Sequence, residues 1–315
     1  MSIKGKNINL FLLDGVPKGR KKCTIANWIG VAYQIPRTHI DECTSRPELK
    51  QSGVYFLFGK SEETDEKYVY VGQAGTRNTG KGILDRLKEH RSDPEKDYWT
   101  EAVIFITSNN TFGPTEISYL EHHFCVMATE AKRYTVKNSN TPTPGNVTEE
   151  KESELVEFIE YSKLVMGVLG HMVLEPYYKT NINTDENADA TSKNDTIFYI
   201  KADYKDRDTN ARKIADAKGM RINDGFIVMK DSIIVNTIVA TCPNSARKAR
   251  EKYAADIDEN WKLTKDIPFN SPSGAAGFVL GSSASGNKTW RTIDGIPLGL
   301  YENQETIEKN DSNQS

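Results

Sequence analysis

The sequence has few of the features that mark secreted, membrane-spanning or zinc-binding proteins. Its four cysteines are scattered along 315 residues and none forms a CxxC pair. This argues against a disulfide framework and a zinc ribbon, and favours reduced thiols. The longest apolar run, residues 164–174, is interrupted by His171 and is too short to span a bilayer. The first residues are polar and basic, without an apolar stretch of signal-peptide length, so we expect a cytoplasmic protein that does not enter the membrane.

An excess of positive charge, the usual mark of a protein that binds polyanions, is also lacking. The net charge is −3, but it is unevenly distributed. Residues 1–52 carry 9 Lys and Arg against 4 Asp and Glu, whereas residues 141–194 carry 4 against 10. A basic N-terminal segment is consistent with phosphate contact. A solvated basic surface explains the same charges equally well.

The length exceeds what one hydrophobic core usually organises, so several domains are expected. With 27% charged and 37% hydrophobic residues, the composition is typical of a globular protein. Shifts in composition predict a basic, β-rich N-terminal segment, a central domain, an amphipathic helix with an acidic linker, a C-terminal α+β domain and a disordered tail. Their boundaries are 1–50, 51–145, 146–194, 195–305 and 306–315. The fold class expected for the whole chain is α+β.

The central domain alternates strand and helix patterns. Residues 53–58 and 68–71 are rich in β-branched and aromatic residues, and a short charged loop between them indicates a hairpin. Apolar residues at helical spacing predict a helix over 82–91, a third strand follows at 102–107, and a second helix opens at Pro114. In the C-terminal domain the same patterns predict strands and helices. The strands are 197–201, 226–229 and 233–235, and the helices are 211–218, 245–255 and 271–280.

A glycine-rich loop between the second strand and the first helix matches a phosphate-binding pattern in part. Residues 75–81 fit GxxxxGK, but the next position should be Ser or Thr to hold magnesium and is Gly82. The strand at 102–107 also lacks a terminal acidic residue. A glycine-rich turn therefore explains the loop better than an NTPase site, although its backbone N–H groups and Lys81 could contact phosphate.

A second pattern extends over the whole central domain. Its parts are Gly53-Val54-Tyr55 on the first strand, Tyr70-Val71-Gly72 on the second, Arg86 and His90 on the first helix, Glu121 on the second helix, and Asn138 beyond it. This ordered set resembles the GIY-YIG nuclease family and covers under a third of the chain. The resemblance implies a three-stranded antiparallel sheet flanked by helices, and a metal-dependent endonuclease.

The resemblance also implies roles for individual residues. The expected catalytic residues are Tyr55, Tyr70, Arg86, His90 and Glu121, with Glu121 as the ligand of Mg²⁺ or Mn²⁺. The expected substrate-binding residues are Gly72, Arg77, Lys81, Lys88 and Asn138.

Physical chemistry gives a reason for several of these roles. Arginine offers a planar, permanently charged fork that suits phosphate, and residues 86 and 90 share one helical face. One carboxylate can hold a magnesium ion that keeps its waters. A tyrosine acting on water needs a pKa below its usual value of about 10, and the sequence leaves open which tyrosine that is.

Glu116 is an alternative to Glu121, because both lie at the edge of the apolar stripe of the second helix. Periodicity does not decide between them. Glu116 already suits the helix start, so position and resemblance favour Glu121.

The function expected from the sequence is hydrolysis of nucleic-acid phosphodiester bonds, with DNA as the favoured substrate. The alternatives are a nucleic-acid-binding module with a silent nuclease core and, less favoured, an NTPase. The C-terminal region resembles a domain of uncharacterised function that accompanies such nucleases. The residues that carry this resemblance are 224–228, 271–276 and Trp290. It could position DNA or a partner, or serve a purely structural role. Its basic helix around Arg247 and Arg250 does not decide between these.

Overall fold

The computed structural model describes residues 5–62, 66–75, 82–177, 196–205, 212–222 and 225–304. The chain divides into two compact units, Met1–Pro176 and Tyr177–Ser315. Each unit combines a β-sheet with helices, so the predicted α+β class is confirmed. No helix within the described ranges is long and apolar enough to cross a bilayer. The predicted linker falls largely in 178–195 and the predicted tail in 305–315, and both lie outside the described residues.

The first unit is built on a seven-stranded sheet of order β1-β2-β3-β6-β4-β5-β7. Neighbouring strands are antiparallel except for the parallel pair β5 and β7. The strands are β1 Ile8–Leu12, β2 Lys21–Ile25, β3 Gly30–Pro36, β4 Gly53–Lys60, β5 Lys67–Ala74, β6 Trp99–Thr107 and β7 Thr135–Val136. The helices are α1 Ile83–Ser92, α2 Pro114–Ala131 and α3 Glu149–Val168.

The predicted hairpin and third strand form the middle of this sheet. β4 pairs with β5 on one side and with β6 on the other, as expected for the three-stranded core. The basic N-terminal segment is not a separate element, because β3 pairs with the free side of β6 over its full length, from Gly30↔Thr107 to Pro36↔Glu101. An apolar strand with an open edge is stabilised by such pairing. The sheet is therefore larger than the three strands that the sequence predicted.

Two hydrophobic cores lie on opposite faces of the sheet. Side chains alternate along β4, so Val54 and Phe56 enter the core beneath α2 and α3, while Tyr55 and Leu57 enter the core beneath α1. On β5 the same alternation places Val71 in the first core and Tyr70 against the second. The two tyrosines of the hairpin therefore lie on the face covered by α1.

The second unit contains a four-stranded antiparallel sheet of order β11-β10-β9-β8. Its aromatic core includes Phe226, Phe278 and Trp290, all fully buried. The strands are β8 Ile197–Lys205, β9 Arg212–Ile222, β10 Gly225–Val228 and β11 Ile267–Phe269. The helices are α4 Asn244–Lys252, α5 Pro272–Leu280 and α6 Gly286–Thr289.

The helix predicted over 211–218 is wrong, because residues 212–218 belong to strand β9. Its burial alternates residue by residue, with Ala215 and Ala217 buried and Ile214 and Asp216 exposed. Alanine and lysine favour helix locally, but pairing with both β8 and β10 outweighs that preference. The strand predicted over 233–235 is reduced to isolated bridges at Ile233. The helices predicted over 245–255 and 271–280 are present as α4 and α5.

Candidate active site

Tyr55, Tyr70 and His90 form one ring cluster on the α1 face of the sheet. Tyr55 is 1% exposed, and its Oη lies 2.5 Å from His90 Nε2. The ring centroids of Tyr55 and Tyr70 are 6.4 Å apart, and His90 is 5.4 Å from each of them. The hairpin and the first helix thus bring together three of the predicted catalytic side chains.

Glycine at position 72 makes this cluster possible. Gly72 lies directly opposite Tyr55 in the β4–β5 register. A Cβ on residue 72 would come within 2.4 Å of Tyr55 Oη and 2.5 Å of Tyr55 Cζ. The phenol therefore occupies the space that any other side chain would need, and the structure gives Gly72 a packing role beside its predicted substrate contact.

Helix α1 supplies Arg86 and His90 from one face. Ile83, Leu84 and Leu87 anchor the helix in the core, which orients the other two residues toward the tyrosines. The Arg86 guanidinium bonds Glu89 Oε2 at 2.7 Å and keeps 37% of its side chain exposed. Burial raises the pKa of Tyr55, Tyr70 and Glu121, and the positive charge of Arg86 opposes that rise at all three. Arg86 is therefore both coupled to the cluster and open to a ligand from solvent.

Glu121 on α2 belongs to the same electrostatic group. Its Oε2 accepts a hydrogen bond from Gln73 Nε2 at 2.9 Å, next to the end of β5. Burial raises the pKa of this carboxyl, and its negative charge in turn contributes to the raised pKa values of Tyr55 and Tyr70. The alternative, Glu116, accepts from the Gly113 N–H at 3.0 Å and so has the capping role expected at the helix start.

The donor set at Glu121 fits one divalent cation with few protein ligands. Among the residues that the structure describes, no three His, Cys, Asp or Glu side chains cluster as a metal-binding group. A partly buried carboxylate whose raised pKa reflects desolvation is stabilised by a nearby cation. Magnesium accepts one or two carboxylates and completes its shell with water and phosphate. Glu121 would hold such an ion.

Two predicted substrate-binding residues have other partners. Lys88 lies away from the cluster on α1, with Nζ 3.0 Å from Thr44 Oγ1 and 4.0 Å from Asp41 Oδ1. Asn138 bonds the backbone of Val71, its Nδ2 donating to the carbonyl at 2.8 Å and its Oδ1 accepting from the N–H at 3.0 Å. Lys88 therefore lies outside the ring cluster, and Asn138 supports the edge of β5. Arg77 and Lys81 lie outside the described residues.

Lys96 is a member of the cluster that sequence reasoning missed. Its Nζ lies 3.0 Å from His90 Nδ1 and 4.2 Å from the centroid of the Tyr70 ring. It belongs to the short 3-10 helix Pro94–Lys96, which begins just after α1 ends. The Asp93-Pro94 pair predicts a turn at this point. It does not predict that the Lys96 side chain folds back to contact His90 on α1.

Burial sets the protonation of the rings. Burial, Lys96 and Arg86 together lower the pKa of His90 to about 4, so its imidazole is neutral at neutral pH. Burial holds the pKa of Tyr55 far above its usual value of 10, and also raises that of Tyr70. Tyr70 is only half-buried, so it is the more accessible of the two tyrosines.

Gly82 argues against the NTPase interpretation. A Cβ at this position would lie 1.9 Å from the Lys50 carbonyl oxygen. The next residue, Ile83, donates its N–H to the Gln51 carbonyl at 3.2 Å. Because the backbone of 50–51 packs directly on residue 82, the Ser or Thr that a phosphate-binding loop requires does not fit here.

Comparison with known proteins finds one domain. Residues 208–302 match the family model of a domain of unknown function, DUF4357, inside the second unit and inside the predicted C-terminal domain. No curated protein and no solved structure matches the chain. The nuclease resemblance of the first unit therefore depends on its own residues and geometry.

Proposed function

We propose that the first unit is a metal-dependent endonuclease of the GIY-YIG type that hydrolyses phosphodiester bonds in nucleic acid, with DNA as the favoured substrate. The observation that carries this proposal is the cluster of Tyr55, Tyr70 and His90 rings, with Tyr55 Oη 2.5 Å from His90 Nε2. Arg86 on the same helix and Glu121 on α2, which accepts from Gln73 of β5, interact electrostatically with both tyrosines. Phosphodiester hydrolysis needs a positioned water, a cationic partner for the phosphate oxygens and a place for a divalent ion. This group of side chains offers all three.

Each side chain has a defined part in the reaction. Arg86 binds a phosphate oxygen through its exposed fork and neutralises charge that develops there. Tyr70, the more accessible phenol, orients the attacking water, and the Tyr55 ring packs beside it. Burial raises the pKa of Tyr70, so it would accept the proton of that water only as a phenolate stabilised by Arg86 and a bound cation. A Mg²⁺ or Mn²⁺ ion at Glu121 would act as a Lewis acid on the phosphate. His90 is neutral and bonds Tyr55.

A cytoplasmic location completes the proposal. All four cysteines are buried free thiols, which suits a reducing compartment.

Substitution of Glu121 tests the proposed activity. We expect Glu121→Gln, which keeps the shape of the side chain and a partner for Gln73, to lower the rate of Mg²⁺- or Mn²⁺-dependent plasmid nicking by about 100-fold or more. Glu130→Gln is the matched control, because Glu130 lies on the same helix but is exposed. Circular dichroism establishes that both variants fold.

The outcomes separate the candidate functions. Unchanged nicking by Glu121→Gln rejects the assignment of this carboxylate. A wild-type protein that binds DNA in a salt-sensitive manner but cuts with neither metal is the silent nucleic-acid-binding module instead.

A further inference from the structure

Lys96, His90 and Tyr55 are joined by two consecutive hydrogen bonds. Because Lys96 can only donate, it determines which atom is the donor in each of them. Lys96 Nζ lies 3.0 Å from His90 Nδ1, and His90 Nε2 lies 2.5 Å from Tyr55 Oη. An ammonium group has three N–H donors and no acceptor, so Nδ1 must accept. A neutral imidazole carries one hydrogen, which then resides on Nε2 and is donated to Tyr55.

We propose that Lys96 is a positioning residue that holds His90 in the Nε2–H tautomer, so that His90 donates to Tyr55 and does not take its phenolic proton. The catalytic consequence of this inference depends on the proposed nuclease function. The tautomer itself does not.

The surroundings of Lys96 hold its ammonium in place. Pro94 opens its short helix, the Asp93 side chain accepts from the Glu95 N–H at 3.1 Å, and the Lys96 N–H bonds the Asp93 carbonyl at 3.0 Å. Burial and the charge of Arg86 lower the pKa of Lys96. The ammonium lies 4.2 Å from the centroid of the Tyr70 ring, and this cation–π contact opposes that shift by favouring the charged form. Lys96 is therefore fixed between an imidazole and a phenol, as a donor to the first.

The direction of these hydrogen bonds has a consequence for Tyr70. With its oxygen accepting from His90, Tyr55 keeps its own O–H to donate. Burial raises the pKa of Tyr70, and a hydrogen bond with Tyr55 opposes that rise. The donors then run from Lys96 through His90 and Tyr55 to Tyr70, and each stabilises negative charge on the next. The last group in this series is the Tyr70 oxygen, which the proposed reaction uses as a proton acceptor. The series of donors therefore stabilises negative charge on that oxygen.

The tautomer is measured directly by long-range ¹H–¹⁵N correlation of the histidine rings. The sample is the ¹⁵N-labelled full chain without metal, at neutral pH, with His90 assigned by comparison with His90→Gln. We expect the wild type to show Nε2 protonated and Nδ1 unprotonated. We expect Lys96→Met, which removes the donor but keeps the stem, to increase the Nδ1–H population, and Lys96→Arg to restore the wild-type pattern. Lys137→Met is the control, because Lys137 is an exposed lysine over a different ring, that of Tyr68.

The results that overturn the inference are a wild-type His90 in the Nδ1–H form, or an unchanged tautomer in Lys96→Met. Single-turnover nicking gives the catalytic readout. Lys96→Met should lower the rate about 10- to 100-fold, as loss of an orienting partner does, with little change in DNA affinity and with recovery in Lys96→Arg. A fall in DNA affinity without a change of tautomer would make Lys96 a phosphate contact and reject the proposal. If the wild type does not cut at all, the nuclease proposal fails and the ring spectra still decide the role of Lys96.

Discussion

Residue 72 has to be glycine because the Tyr55 phenol lies over it. The register pairs the two residues directly, and a Cβ would overlap the phenol oxygen at 2.4 Å. In the sequence, Gly72 is the last residue of the tripeptide Tyr70-Val71-Gly72, and nothing there indicates its contact with Tyr55. In the fold, it fixes the position of the Tyr55 oxygen and hence the contact with His90.

We expect Gly72→Ala to displace Tyr55 and to destabilise the first unit by about 1–3 kcal/mol, the usual cost of overpacking. Calorimetric melting and His90 ring spectra measure the two effects. Gly75→Ala is the control, since a Cβ there meets only Ile117 Cδ1 at 3.7 Å. Equal melting temperatures and an unchanged His90 environment in Gly72→Ala would show that the phenol does not depend on the glycine.

Single residues were predicted well where their role is local. Arg86 and His90 are four positions apart, so their shared face follows from helix geometry and is observed. Lys88 lies between them in sequence, about 200° around the helix axis from Arg86. Helix geometry therefore places Lys88 on a different face of α1 from Arg86 and His90, as observed. The contacts of Lys96 with His90 and of Asn138 with Val71 could not be predicted, because these partners meet through tertiary contacts that no local pattern encodes.

At the scale of elements, the outer edge of β5 is held by two different partners. β7 pairs with β5 only at Tyr68 and Val69, and beyond it the Asn138 side chain takes over by bonding both backbone groups of Val71. One amide side chain thus continues the pairing of the strand that carries Tyr70. Asn138 therefore supports this strand, beside its predicted contact with substrate.

We expect Asn138→Ala to cost about 1–2 kcal/mol of unfolding free energy, because it removes two hydrogen bonds from a partly buried strand edge. It should also speed hydrogen exchange at the Val71 amide, which NMR or mass spectrometry measures. The exposed Asn140→Ala is the matched control. Protection of Val71 that survives the loss of Asn138 would contradict this role.

Periodicity predicted the elements of the first unit because their apolar patterns agree with local propensity. In β9 the two conflict, since alanine and lysine favour helix while alternate residues are buried. Pairing on both sides decided the outcome. The pairing of β3 with β6 could not be predicted either, because the pattern of a strand does not specify which strand it pairs with.

At the scale of the whole molecule, the division at 176 and 177 gives each unit its own hydrophobic core. The residues proposed for catalysis all lie in the first unit. The second unit, with its match to a domain of unknown function, contributes none of them.

We expect a fragment of residues 1–176 to fold cooperatively and to retain metal-dependent nicking. A fragment of residues 51–176 should not fold stably, because it loses β3 and leaves the apolar β6 unpaired on one side. Circular dichroism, melting and plasmid assays compare the two. A well-folded 51–176 fragment would contradict the continuity of the seven-stranded sheet.

The position of a divalent ion tests the central claim most directly. Crystals of the full chain soaked in Mn²⁺ can be measured by anomalous diffraction, with Glu121→Gln crystals as the control. We expect one strong peak on the Glu121 carboxylate, on the side facing Arg86 and Tyr70, and its loss in the variant. A peak that persists in the variant, or no peak at Glu121 in wild-type crystals, would contradict a metal-dependent nuclease centred on this carboxylate.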